Sequence, residues 1–251
     1  MKRIFTTLGQ KWPEYILEVL VITLSILGAF ALDTWNQNRL SSRLVDDYYC
    51  RFLADINQDE AQVQELISES RERLASSNEM LALLLSPAPD KREAIGLMLA
   101  STSKISYQFK PISAGYDDLK SSGNLNAFTD QVVVDKVGRY LQESAGLEGN
   151  ITNNGYIALN ELFEIENLFE IGFIDTPFFR EGIDTTIIDT QNLDQLPLTK
   201  SQARQLKHLA AVLIAVNDRN ITHYESIREK IKAVRPLLEQ KCHRPGAAVK
   251  P

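Results

Sequence analysis

The stretch Tyr15-Ile-Leu-Glu-Val-Leu-Val-Ile-Thr-Leu-Ser-Ile-Leu-Gly-Ala-Phe-Ala-Leu32 decides the architecture of this chain, because its only charged side chain is Glu18. As a helix it covers about 27 Å, close to the ~30 Å hydrocarbon thickness of a bilayer. Trp12 and Trp35 flank it, as interfacial aromatic residues flank membrane helices. We predict a transmembrane helix over residues 13–35, with the lipid bilayer as a partner of the chain.

Two other interpretations of this stretch are less consistent with its sequence. A buried helix of a water-soluble protein is disfavoured by the length and by the aromatic flanks. A cleaved signal peptide would fit the pattern Ala29-Phe-Ala31, but Glu14 and Glu18 lie where such a peptide should be short and positive. We therefore interpret the stretch as an uncleaved anchor.

Positive charge around the stretch predicts its orientation. Lys2, Arg3 and Lys11 precede it, against Arg39 and Arg43 just after it. Because Lys and Arg favour the cytoplasmic side, we expect a cytoplasmic N-terminus. The rest of the chain would then lie outside the cytoplasm, in the periplasm for a protein of a bacterial inner membrane.

One face of the predicted membrane helix carries Glu18, Ser25 and Ala29. Ser25 and Ala29 form a small-xxx-small pair, which lets two helix backbones approach closely in lipid. Glu18 lies near the start of the helix, so its carboxylate either reaches the headgroups or faces protein rather than lipid. We expect this face to mediate self-association into a homo-oligomer.

The remainder of the chain has the periodicity of long helices. Residues 33–86 contain neither Pro nor Gly, and their apolar residues recur at spacings of three and four, which predicts one amphipathic helix that can continue the membrane helix. Pro87 and Pro89 should end it, Gly123 should stop a short helix, and Thr199 with Gln202 should open the last helix as a capping box.

We therefore predict an all-α protein, with one N-terminal transmembrane helix that continues into an elongated extramembrane helical bundle. The predicted parts are a cytoplasmic or interfacial stub (1–12), the transmembrane helix (13–35), the helical bundle (36–240) and a flexible tail (241–251).

Composition excludes several classes of function. The chain has 251 residues, a net charge of −6 and only 3 His, and basic clusters that would neutralise nucleic-acid phosphates are absent. No motif marks a nucleophile, a metal site or a cofactor site, so we expect no enzyme, cofactor or metal ion. Cys50 and Cys242 are too far apart in sequence for a zinc ribbon or a CxxC centre. An oxidising compartment would allow them to pair, but we expect two free thiols.

Two motifs resemble those of a bacterial family of uncharacterised single-span membrane proteins, catalogued as a domain of unknown function. The first is Ile26-Leu-Gly-Ala-Phe-Ala-Leu-Asp-Thr-Trp-Asn36, where an apolar helix runs into a Trp-Asn element. The second is Gly115-Tyr-Asp-Asp-Leu-Lys-Ser-Ser-Gly-Asn-Leu-Asn126, with its Leu-x-Ser-Ser-Gly core before a long helix. The resemblance implies an N-terminal anchor and a helical domain, and it implies no activity.

Polar residues at predicted core positions form the one constellation of interest: Asp59, Glu148, Asn217 and Asn220. If the first and last helices pack antiparallel, with Asp33 near the end at Leu238, all four should lie at one height, with Asp59 within about three helical turns (~16 Å) of Asn217. Such a layer either fixes helix register, as a core Asn does in coiled coils, or lines a site for a small polar ligand. We favour the structural interpretation.

Three functions remain open at this point. The leading hypothesis is a non-enzymatic, membrane-anchored and self-associating scaffold or interaction protein. The alternatives are an extracytoplasmic sensor that binds a small solute at the polar layer and signals through a partner, and a subunit of an oligomeric pore lined by Glu18 and Ser25.

Overall fold

The computed structural model describes residues 2–107, 109–128, 130–166, 168, 182, 184, 187 and 197–242. Its helices are α1 (Lys2–Leu85), α2 (Lys91–Thr102), α3 (Ala114–Ser121), a 3₁₀ helix (Asn124–Ala127), α4 (Gln131–Phe163) and α5 (Lys200–Lys241). No strand occurs among the described residues, and the prediction of an all-α protein with long helices is confirmed. Most of the predicted tail (243–251) lies outside the described residues.

Helix α1 is one uninterrupted helix of 84 residues. Its N-terminal part is the one segment of the described residues that is long and apolar enough to cross a membrane, and none of that apolar segment is buried by the rest of the chain. The helix ends at Leu85, two residues before the predicted breaker Pro87, because proline disfavours helix at the residue that precedes it, here Ser86.

Local signals set the other helix ends, and the capping box at Thr199 and the stop at Gly123 were predicted. Thr199 and Gln202 form the capping box of α5, and Gly123 adopts φ 73°, the left-handed conformation that favours glycine. The side chain of Asp90 caps α2 by accepting the N–H of Glu93 at 2.8 Å. Pro236 does not end α5, which continues to Lys241.

Helix α5 packs antiparallel to α1 along most of the bundle. Glu60 pairs with Arg235, and Arg71 with Glu225 (2.8 Å between Nη2 and Oε1), so residue numbers rise on one helix as they fall on the other. Helix α4 is also antiparallel to α5, because contacts follow the same order: Asp130 with Lys241, Glu143 with Lys230, and Asn154 with Asn220. Helices α1 and α4 therefore run in the same direction.

A disulfide joins Cys50 to Cys242, whose Cα atoms are 4.9 Å apart. The expectation of two free thiols is therefore wrong. The predicted register, with Leu238 near Asp33, would keep the two thiols apart, whereas the end of α5 lies beside Cys50, 17 residues after Asp33 on α1. Residues 36–44 of α1, which the sequence assigned to the bundle, precede this junction and are mostly exposed; we call them the stalk.

The core consists of two separate hydrophobic clusters. The proximal cluster, nearer the apolar segment, contains Phe52, Tyr140 and Ile231, and the distal cluster contains Met80, Met98 and Leu209. Buried polar side chains lie between them. They belong to Ser70, Arg73, Ser77, Ser101, Asn154, Asn217 and Asn220.

Candidate functional site

The polar layer between the two hydrophobic clusters is centred on Arg73, whose exposed fraction is 4%. Its Nε donates to Oδ1 of Asn217 at 3.0 Å, and its Nη2 donates to Oγ of Ser70 at 2.7 Å. Its Nη1 donates to the carbonyl oxygen of Ser103 at 3.2 Å. One guanidinium thus ties α1 to α5 and to the C-terminal end of α2.

The amides of the layer bond to protein groups. Asn154 Nδ2 donates to Asn220 Oδ1 at 2.8 Å, which links α4 to α5. Asn217 Nδ2 donates to the carbonyl oxygen of Leu213 at 2.9 Å, one turn back on its own helix. Partners of this kind are what buried polar groups need to avoid a cost of about 1–3 kcal/mol each.

Arg73 holds a positive charge largely among neutral oxygens. Burial lowers its pKa, and the nearest carboxylate, Oε2 of Glu69, is 4.0 Å from Nη1. Glu69 also pairs with Lys104, which adopts φ 53°, a conformation rarely found for residues with side chains. Because an arginine does not lose its proton in proteins, the layer keeps this charge at physiological pH.

A second polar cluster surrounds Asp59, which is fully buried. Tyr140 OH donates to Asp59 Oδ2 at 2.6 Å, and the N–H of Ile112 donates to Oδ1 at 3.1 Å. Burial raises the pKa of Asp59 to about 6, against the opposing effect of these two hydrogen bonds; nearby Asp55 raises it further. Asp59 is therefore a buried carboxyl group whose pKa lies well above that of an exposed aspartate.

Helix α3 is attached to α1 by polar contacts next to this cluster. The N–H of Gly115 donates to Oδ2 of Asp55 at 3.1 Å, and a Cβ atom at Gly115 would lie only 3.0 Å from that oxygen. Asp118 accepts from Tyr48 OH at 3.1 Å and from Arg51 at 3.0 Å. The motif that begins at Gly115 thus supplies the residues that dock α3 on α1.

These contacts contradict the prediction that Asp59, Glu148, Asn217 and Asn220 form a single layer. Asp59, Asn217 and Asn220 are buried, but Glu148 is half-buried and accepts from Thr152 on its own helix. Arg73, not Asp59, reaches Asn217. Because Asp59 precedes Arg73 by 14 residues, it lies about 21 Å away along α1, and the prediction of one common height is wrong.

Arg73 and Tyr140 belong to these polar clusters but were not among the predicted residues. A signal for Arg73 was present, because Ser70, Arg73 and Ser77 continue the three- and four-residue spacing of the apolar stripe between Leu66 and Met80. A charged residue inside such a stripe lies on the buried face of the helix.

The predicted self-association face lies wholly on the apolar segment of α1. Glu18, Ser25 and Ala29 are exposed, so no part of the described chain covers them. The hydroxyl of Ser25 donates to the carbonyl oxygen of Val21 at 2.8 Å, within its own helix. The hydroxyl of Ser25 is therefore already bonded, and Ser25 contributes to this face as a small side chain.

Open clefts on the surface of the described residues include the following three. One, of about 400 Å³, lies beside the stalk at Ser41 and Lys241; another, also about 400 Å³, lies at Glu65 and Tyr107; a third, of about 550 Å³, lies between α3 and α4. The amide and guanidinium groups of the polar layer line none of the three. Among the described residues, no group of three or more His, Cys, Asp or Glu side chains could hold a metal ion.

Comparison of the chain with protein-family models, curated proteins and solved structures finds no match. The resemblance to the single-span family therefore stays a prediction.

Proposed function

We propose that this protein is a non-enzymatic, membrane-anchored and self-associating helical scaffold that holds a bundle at a set distance from the bilayer. The observation that carries the proposal is the continuity of α1 from Lys2 to Leu85. From Trp35 to Leu85 an unbroken helix extends about 75 Å. Because the apolar segment and the bundle share one helix, a displacement or pairing of the anchor is transmitted directly to the bundle.

The attachment of α5 to α1 supports a stiff scaffold. The disulfide between Cys50 and Cys242 ties the end of α5 to the base of the bundle, and Arg73 ties its middle to α1. The polar groups of the layer bond to one another, which favours the structural role over the solute-binding role that the sensor hypothesis requires.

We propose a bacterial inner-membrane location, with the N-terminus in the cytoplasm and the bundle in the periplasm. The cations at Lys2, Arg3 and Lys11 support this orientation. The disulfide adds a second, independent argument, because disulfides persist in oxidising compartments.

Alkaline phosphatase fused after residue 86 tests the orientation. The fusion should be active in intact cells, whereas a cytoplasmic reporter fused at the same residue should be inactive. Activity of the cytoplasmic reporter alone would reverse the proposed topology. Non-reducing gels of the unfused chain provide a control, since a faster band without reductant reports the disulfide.

Self-association is tested by light scattering of the full chain, corrected for bound detergent. We expect a dimer or trimer that Ala29→Leu weakens, because the larger side chain separates the helix backbones. Ala31→Leu is the matched control, since Ala31 lies on another face of the same helix and is equally exposed. A monomeric wild-type chain would contradict the scaffold, and a large ring would favour the pore.

A further inference from the structure

The first arginine after the apolar segment lies over an exposed tryptophan. The guanidinium carbon of Arg39 is 5.5 Å from the centroid of the Trp35 ring, which lies one helical turn earlier on α1 and exposes 62% of its area. Side chains on a helix point back towards its N-terminus, which on α1 is the direction of the apolar segment. The guanidinium therefore lies close to the level of Trp35 and not at the level of its own backbone.

That level corresponds to the headgroup layer of a bilayer. Residues 19–32 carry no charge, and Trp35 follows Leu32 by three residues, about 5 Å along the helix. Beyond the ~30 Å hydrocarbon, the headgroup layer on each side is about 5–7 Å thick. Tryptophan side chains concentrate in this layer. When the apolar segment spans a bilayer, the guanidinium of Arg39 therefore lies among lipid phosphates.

Arg43 adds a second cation on the same side of the stalk. It follows Arg39 by one turn, and both side chains are exposed. Asp33 is the charged residue between the apolar segment and Arg39, and it lies about 120° away around the helix. Asp46 and Asp47 lie about 10–12 Å farther from the membrane than Arg39. The side of the stalk that carries Arg39 is therefore positive at the headgroup level.

We infer that Trp35, Arg39 and Arg43 form a binding site for an anionic phospholipid in the leaflet next to the bundle. The planar guanidinium of Arg39 presents donors that match phosphate oxygens. Arg43 selects the charge of the lipid, because it lies about 5 Å above Arg39, on the water side of the bound phosphate. An ammonium group of a zwitterionic lipid would be repelled there, whereas an anionic headgroup carries no such group.

The acidic bundle does not cancel this attraction. The net charge of the chain is −6, but the base of the bundle at Cys50 lies about 22 Å beyond Trp35 along α1. Exposed charges are screened beyond about 8 Å at physiological ionic strength. The two arginines of the stalk, and not the net charge, therefore determine which lipid lies beside α1. The inference rests on the proposed membrane anchoring and is independent of self-association.

Energy transfer from Trp35 to labelled lipids tests the inference on the full chain in phosphatidylcholine vesicles. Trp12→Phe leaves Trp35 as the one tryptophan of the sequence. Vesicles with a trace of pyrene-labelled phosphatidylglycerol are compared with vesicles that contain as much pyrene-labelled phosphatidylcholine. Transfer to the anionic probe should be about threefold stronger, because each basic residue near the surface attracts anionic lipid. Equal transfer to both probes would overturn the inference.

Arginine variants in this background assign the effect. Arg39→Gln should bring the ratio of the two transfer signals close to one, and Arg43→Gln should lower it, since each removes a cation from the site. Arg71→Gln is the matched control, because it removes the same charge from the same helix about 54 Å beyond Trp35. Its ratio should equal that of the parent. A parental ratio in Arg39→Gln, or an equal loss in Arg71→Gln, would overturn the inference.

Flotation of the same vesicles separates this inference from the proposed function. A chain that floats with the vesicles but transfers equally to both probes is anchored without an anionic-lipid site, so the inference alone is wrong. A chain that stays out of the floating fraction contradicts the membrane anchoring and the inference together. A monomeric chain that prefers the anionic probe supports the inference and contradicts only the self-associating scaffold.

Discussion

Arg73 and Asp59 are both buried on α1, yet the chain holds these two ionisable groups in different ways. Arg73 donates to oxygens from α1, α5 and the end of α2, and its charge persists at any physiological pH. Asp59 accepts from Tyr140 and Ile112, and burial raises its pKa to about 6. The middle of the bundle is thus held by a permanent charge, whereas the junction of α1, α4 and the segment before α3 holds a carboxyl group whose pKa is about 6.

Removal of the Arg73 side-chain charge should have the largest effect. Arg73→Met would leave the buried oxygens Asn217 Oδ1 and Ser70 Oγ without their donor. We expect the free energy of unfolding to fall by about 3 kcal/mol, measured by urea denaturation of the full chain in detergent.

Arg71→Met is the control for this loss, because Arg71 lies two residues away, is largely exposed and pairs with Glu225. Exposed ion pairs contribute about 0–1 kcal/mol, so this variant should remain close to wild type. Arg73→Lys keeps the charge but loses the planar fork of donors, and should lie between wild type and Arg73→Met. Equal losses from Arg71→Met and Arg73→Met would show that the layer does not pin the bundle.

The smaller expected effect is a pH dependence that comes from Asp59. Its pKa rises from 3.8 unfolded to about 6 folded, so its stabilising contribution is fully present below pH 3.8 and is lost as the pH rises through about 6. The free energy of unfolding should therefore increase by about 1 kcal/mol between pH 7 and pH 5 from this group.

Asp59→Asn tests that assignment, since the amide keeps the shape of the carboxyl group and does not titrate. The unfolding free energy of the wild type should rise relative to that of the variant as the pH falls from 7 to 5, because only the wild type gains a proton at this position. Burial also raises the pKa of Asp55. The pH dependence of the unfolding free energy should therefore be measured for Asp55→Asn as well, to separate the contributions of the two carboxyl groups. If the unfolding free energy of Asp59→Asn depends on pH as steeply as that of the wild type, the role of Asp59 is contradicted.

Helix ends were predictable because each depends on residues within one turn. Pro87 ends α1, Gly123 supplies the left-handed turn after α3, and Thr199 with Gln202 caps α5, all by local backbone geometry. The buried faces of α1 and α5 followed from their spacing for the same reason. Asp59, Asn217 and Asn220 were accordingly recognised as buried positions.

The height at which those faces meet was not predictable. A stripe with spacings of three and four repeats every seven residues, so sliding α5 by one or two repeats keeps the same faces in contact. The predicted register pairs Asp59 with Asn217, whereas in the structure Arg73 contacts Asn217, two repeats later on α1. The same displacement explains why the pairing of Cys50 with Cys242 was missed.

The sequence by itself determined that this chain is helical, where its main helices break, and that its first helix is apolar enough to cross a bilayer, because these properties follow from local composition and periodicity. Only the tertiary structure decided which polar residues meet. Arg73 with Asn217, Asp59 with Tyr140, and Cys50 with Cys242 are separated by at least 81 positions. Contacts at such separations depend on how complete helices pack against one another, and a periodic pattern leaves that register degenerate.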